Sequence, residues 1–262
     1  MTLRVLFLLF CAMITRYSAM AQIEVGGVYF PSITVISQGD DSETPYINNK
    51  LTFAGGLGST FGYNFNENFA FTTGILYASH NQKIEASATV NDSTWGIYNG
   101  KKRLDYLKVP LQLRYKSSGG GAVSFYGFAG PQIAFLLKAD GATVTYQHYP
   151  NNGTYYFDLP AASNSYYTPV LFELSAGFGT EFQLAPDLFL QTGLKFDMAL
   201  NNTEKKSGFE EKFYRQTGHA YDRHDSRNYS MNLMLGFVYR LPGANDLSHP
   251  HGKAKHNGIK YK

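Results

Sequence analysis

Val170-Leu171-Phe172-Glu173-Leu174-Ser175-Ala176-Gly177-Phe178-Gly179-Thr180-Glu181-Phe182-Gln183-Leu184 decides the fold. Residues two apart point the same way from a strand. Val170, Phe172, Leu174, Ala176, Phe178, Thr180, Phe182 and Leu184 therefore share one face. Leu171, Glu173, Ser175, Gly177, Gly179, Glu181 and Gln183 share the other. One side is bulky and apolar, the other small or charged, and a period of two sustained this long predicts a β-strand.

Working outward, the pattern returns at 188–200, where Leu188, Leu190, Leu194, Phe196 and Met198 oppose Gln191, Gly193, Lys195 and Asp197. In 105–115, Leu107, Val109, Leu111, Leu113 and Tyr115 oppose Lys108, Gln112 and Arg114. Segments 69–79 and 229–241 alternate in the same way, and 23–36, 51–63 and 123–137 do so less cleanly. That predicts eight strands, with ten as the alternative. Pro31, Pro110 and Pro131 fall inside strands, where a missing ladder donor predicts a bulge or kink.

The connections alternate long and short. The short ones are 64–68, 117–122 and 185–187; the long ones are 37–50, 80–103, 138–168 and 201–228. Outer-membrane barrels have short periplasmic turns and long external loops. Strand-like text inside the long connections, at 83–90 with 95–98 and at 142–149 with 154–159, is too polar to face lipid and predicts extensions of barrel strands above the membrane. The fold expected is all-β: an eight-stranded antiparallel up-and-down transmembrane barrel with long extracellular loops.

A soluble barrel or sandwich is the competing architecture. In it the polar face would point outward and the apolar face would line the interior. Here the apolar face is the bulkier one, and an eight-stranded interior has room only for side chains. Small residues suit that interior, and Phe and Leu suit lipid.

The amino terminus supports export. Arg4, the apolar run 5–14 and Ala19-Met20-Ala21 read as the three parts of a secretory signal. The run of about ten residues is short of the roughly 20 that a spanning helix needs. The domains expected are a signal peptide at 1–21, a barrel at 22–241 and a basic, disordered periplasmic tail at 242–262. Cys11, the one cysteine, lies in the signal, so disulfide and thiol chemistry are not expected of the mature chain. A net charge of +3 is too small to argue for nucleic acid.

Inward alternation places Glu24, Lys108, Arg114, Glu173, Glu181, Lys195, Asp197 and Arg240 in the barrel lumen. With both signs in similar number, they read as internal ion pairs plugging the barrel, because isolated buried charge is expensive. A selectivity ring along a solute path is the alternative.

Asp105-Tyr106-Leu107-Lys108-Val109-Pro110-Leu111-Gln112-Leu113-Arg114-Tyr115 resembles the YLxIPL…xxY strand of the PorT-like outer-membrane barrels common in Bacteroidetes. Tyr126-Gly127-Phe128-Ala129-Gly130-Pro131, Glu24-Val25-Gly26-Gly27 and Leu235-Gly236-Phe237-Val238-Tyr239 are similar to that family as well. The resemblance implies a bacterial outer-membrane location and a single up-and-down barrel. The family's name-giving member takes part in protein secretion, and there are no family catalytic residues to carry over. The tail departs from the family, whose barrels usually end at the last strand.

Other constellations are weaker. His219, Asp222, His224 and Asp225, with Ser226 or Ser230, form the densest polar cluster, at the outer rim. A hydrolase would need a nucleophile beside an oriented base, and loop neighbours rarely meet that geometry. His249, His251 and His256 in the tail lack carboxylate or cysteine partners for a metal. Tyr155-Tyr156 and Tyr166-Tyr167 read as interfacial girdle residues or as part of the external hairpin, with a platform for sugar or peptide as the alternative role. No phosphate loop, zinc set or dinucleotide fingerprint occurs. The expectation is a monomeric, non-enzymatic envelope protein without catalytic, cofactor or metal residues. Its structural or binding role would run through external loops, in a secretion-related assembly. Its partners would be outer-membrane lipid, the barrel-assembly machinery during biogenesis and a periplasmic partner of the tail; a narrow solute channel and a lipid-modifying enzyme are the alternatives.

Overall fold

A computed structural model of the chain describes residues 22–38, 47–90, 93–117, 122–140, 144–148, 153–157, 164, 167–205 and 226–241. Eight strands make the barrel: β1 (Gln22–Gln38), β3 (Thr52–Asn64), β4 (Phe69–Val90), β5 (Ser93–Lys116), β6 (Val123–Asp140), β9 (Val170–Ala185), β10 (Leu188–Ala199) and β11 (Ser226–Arg240). Each pairs antiparallel with its neighbour in this order, and β1 pairs with β11 from Glu24↔Arg240 to Gln38↔Ser226, closing the sheet. Closure removes the exposed edges that a membrane would not tolerate.

The expected eight strands are therefore the barrel, and the ten-strand alternative falls. The strand-like text at 83–90 and 95–98 extends barrel strands as expected: across the connection at 80–103, β4 and β5 run on as one ribbon, paired to Val90↔Ser93. Short strands β2 (Ile47–Lys50), β7 (Val144–His148) and β8 (Gly153–Phe157) widen it. β2 lies along β4 where β3 would continue, β7 lies along β5 where β6 would continue, and β8 pairs with β7. The hairpin expected at 142–159 is present, carried on the β5 side of the ribbon.

The prolines interrupt the ladder without a bulge. Pairing of β1 with β11 lapses between Tyr29↔Leu235 and Ser32↔Asn232, and that of β5 with β6 between Pro110↔Gln132 and Leu113↔Ala129, yet the register is the same on both sides of each gap. A missing N–H removes one ladder bond without inserting a residue. Register shifts fall instead at Leu188/Phe189, Ala88/Thr89 and Asp105/Tyr106.

Burial is inverted relative to a soluble barrel. Phe53 is 81% exposed and Phe178 59%, within a belt that includes Leu57, Phe61, Phe71, Ile75, Leu113, Phe125, Phe172, Leu233 and Phe237. A contiguous apolar surface of this extent marks a membrane-facing wall. Tyr63, Phe65, Phe69 and Tyr115 form an aromatic fringe at the short-turn end, with Phe69 and Tyr115 ring centres 5.2 Å apart. Aromatic rings of this kind sit at membrane–water boundaries.

Inside, glycines make room for rings. A Cβ at Gly177 would overlap the Phe128 ring and the Leu194 carbonyl, and one at Gly56 would overlap Phe30. Phe128 and Phe30 thus lie across the lumen over bare backbone, which an eight-stranded interior could not otherwise accommodate.

Candidate functional site

The lumen is filled in layers, and the inward alternation of six strands builds them. At the short-turn end, Glu24 (β1) accepts Arg240 Nε (β11) at 2.7 Å and also pairs with Arg114 (β5). Arg240 reaches across to Glu181 (β9) at 2.6 Å, where Lys116 also binds and Gln191 Nε2 donates at 2.9 Å. The Arg240 guanidinium lies 3.8 Å from the Phe189 ring centre, a cation–π stack that holds the fork in place.

A second charged layer lies nearer the ribbon. Lys108 (β5) donates to Glu173 (β9) at 2.8 Å and lies 3.5 Å from Asp197 (β10). Lys195 pairs with Asp197 at 3.2 Å and donates to Gln132 (β6) at 2.8 Å, while Gln132 donates back to Glu173. Asn232 and Ser230 (β11) each approach Asp197 Oδ2 at 3.4 Å, and Ser32 donates to Asn232 at 2.6 Å. Two lysines thus meet two carboxylates, with amides and hydroxyls taking further lone pairs, as buried charge requires.

Between the layers is a cavity of about 70 Å³, lined by Thr60, Thr72, Gln112, Arg114, Tyr126 and Lys195 among others, with room for a few waters. Above the second layer an apolar lid of Ile36, Leu104, Tyr106, Ala134, Ala139, Tyr167, Leu171 and Ala199 fills the mouth. Over it, Lys102 pairs with Glu204 at 2.7 Å, and Tyr167 bridges to Glu204. Tyr167 is therefore a buried lid residue rather than a girdle residue, because the chain entering β9 folds inward at the mouth.

All eight charges read from alternation face the lumen, and each meets an opposite charge: Glu24, Arg114, Glu181 and Arg240 in one layer, Lys108, Glu173, Lys195 and Asp197 in the other. Lys116, Gln132, Phe189 and His80 were not anticipated. Lys116 and His80 sit one residue past the expected strand ends at 115 and 79, so continuing the alternation would have found them. His80 packs edge-on against Tyr106, ring centres 5.4 Å apart.

His219, Asp222, His224, Asp225, Tyr166, the tail histidines and the signal lie outside the described residues. Tyr155 and Tyr156 belong to β8. Ser226 accepts the Glu204 amide at 3.0 Å, and Ser230 faces Asp197. Among the described residues no group of His, Cys, Asp and Glu is arranged to hold a metal ion.

The sequence matches the outer membrane protein beta-barrel domain over residues 20–205. No curated protein sequence matches it. Among solved structures, Neisserial surface protein A (NspA) is 9% identical with a TM-score of 0.43, covering 84% of this chain and 99% of that one. OprG from Pseudomonas aeruginosa is 16% identical with a TM-score of 0.42, over 85% of this chain and 96% of that one. A major outer membrane protein from Thermus thermophilus is 14% identical with a TM-score of 0.40, over 85% and 100% respectively.

Proposed function

This chain belongs to the outer membrane protein beta-barrel domain family, and from that premise we propose that it is a sealed, non-enzymatic anchor whose extracellular ribbon and loops carry recognition. It resides in the bacterial outer membrane, with the short turns facing the periplasm and the ribbon facing outward. The observation that carries the reading is the filled lumen: two charge-matched layers, a 70 Å³ cavity between them and an apolar lid. A permeation path needs sites weak enough to release an ion, whereas Lys108 and Glu173 are desolvated and locked to each other.

The finer reading is a monomer of the PorT-like kind from Bacteroidetes, serving a secretion-related assembly and inserted by the barrel-assembly machinery, with the basic tail engaging a periplasmic partner. Its support is the 105–115 motif, which lies on β5 and supplies Lys108 and Arg114 to the two layers. Planar-bilayer recording of the full-length protein tests the sealed lumen. The expected trace shows no unitary conductance. Steady steps whose ion preference changes in Lys108→Gln or Glu173→Gln would replace the anchor with a narrow channel.

A further inference from the structure

The lipid-facing side of β4 grades from apolar to charged in one line: Phe71, Thr73, Ile75, Tyr77, Ser79, Asn81, Lys83. β5 does the same in the opposite chain direction: Leu113, Leu111, Val109, Leu107, Asp105, Arg103, Lys101. The register sets Lys83 directly opposite Lys101, and Lys50 of β2 opposite Lys83. Three lysines therefore stand abreast on neighbouring strands, all exposed. Like charges directly opposite each other are destabilising in a sheet, so such a row suits a surface that meets anions.

The row sits at a definable height. Arg103 Nη2 donates to the Tyr77 hydroxyl at 3.3 Å, and its Nε to Asp105 at 2.9 Å. Tyr77 marks the interfacial level at which aromatic rings collect. Lys83 and Lys101 stand beyond it along their strands, and Lys138, opposite Asp105 on β6, flanks them next to the exposed Leu137. Lys138 pairs with Asp140 at 2.8 Å yet its side chain stays 64% exposed. Among the described side chains of this patch, the four cations Lys83, Lys101, Arg103 and Lys138 stand beside two carboxylates, Asp105 and Asp140.

We infer that Lys83, Lys101 and Lys138, with Arg103 at their base, form a binding site for the phosphate groups of a phosphorylated glycolipid in the outer leaflet. The acyl chains of that lipid would lie on the apolar belt below, by Phe53, Tyr77, Leu107 and Leu137. A phosphate monoester carries close to two negative charges, which suits two ammonium groups on adjacent strands. The belt supplies the rest of the affinity, so free phosphate is a poor substitute.

The test uses the full-length barrel refolded in phosphatidylcholine vesicles, without or with bisphosphorylated lipid A, followed by native mass spectrometry of the detergent extract. Lipid A should stay bound to the wild type. K83Q/K101Q/K138Q should bind it at least about tenfold more weakly, since each surface cation contributes to anionic-lipid binding, while still migrating as a folded, heat-modifiable barrel. Dephosphorylated lipid A should bind the wild type equally poorly, a comparison that does not depend on the variant folding. Inorganic phosphate should not displace the lipid. Equal retention of phosphorylated and dephosphorylated lipid, full binding by a folded triple variant, or displacement by inorganic phosphate alone would each overturn the assignment.

Discussion

Lys108 Nζ lies 2.8 Å from Glu173 Oε2, and both side chains are 1% exposed. They come from β5 and β9, two strands with β6 between them, so the pair spans the lumen rather than a ladder. Removing one member leaves the other buried without its main counter-charge. Lys108→Met should therefore cost about 3–5 kcal/mol in the unfolding free energy of the lipid-reconstituted barrel. Lys108→Met with Glu173→Leu should recover a large part of that loss. Strictly additive losses in urea titrations would show that the two residues are not coupled.

Gly177 is the floor beneath the Phe128 ring. Gly177→Ala places a Cβ into both that ring and the Leu194 carbonyl. A loss of about 1–3 kcal/mol is expected, the usual cost of overpacking. Adding Phe128→Leu should restore part of it, because the clash with Leu194 is with backbone and remains. Full tolerance of Gly177→Ala in the same titration would contradict this packing.

The apolar belt should show depth dependence. Phe178 lies midway along β9 and Leu184 near its periplasmic end, and both are exposed. Phe178→Arg should cost about 2–4 kcal/mol and Leu184→Arg no more than about 1, as charge does at the midplane and near the interface of a lipid bilayer. Equal, small effects measured in vesicles would mean that this wall does not face hydrocarbon.

The mouth is held by a smaller clasp. Glu204 pairs with Lys102, and the Thr203 and Glu204 amides donate to the Ser226 carbonyl at 2.8 Å and hydroxyl at 3.0 Å. Lys102→Met should speed hydrogen exchange at those two amides and leave mid-barrel amides of β9 and β10 unchanged, since opening here is local. Unchanged protection at Thr203 would place the restraint elsewhere.

Much of the barrel was legible because lipid and lumen impose opposite demands on alternate residues. Phe172 and Glu173 declare their faces without any knowledge of their neighbours. The ribbon was legible only in part: 83–90 and 95–98 read as strand text, but no sequence period shows that 47–50 and 144–148 lie along it. Inward charges could be named from alternation, but their partners could not. Lys108 and Glu173 are 65 residues apart and meet only through barrel curvature. Tyr167 misled for a related reason, since no sequence period distinguishes a tyrosine folding into the mouth from one lying at the interface.

The most direct test of the account is heat-modifiability of the protein taken from the outer-membrane fraction, comparing boiled and unboiled samples on one gel. A closed barrel embedded by its Phe- and Leu-rich wall should be found in that fraction and migrate anomalously until boiled. Protein recovered from the soluble periplasm, with one mobility in both lanes, would contradict the membrane-spanning barrel and the lipid-facing assignments that depend on it.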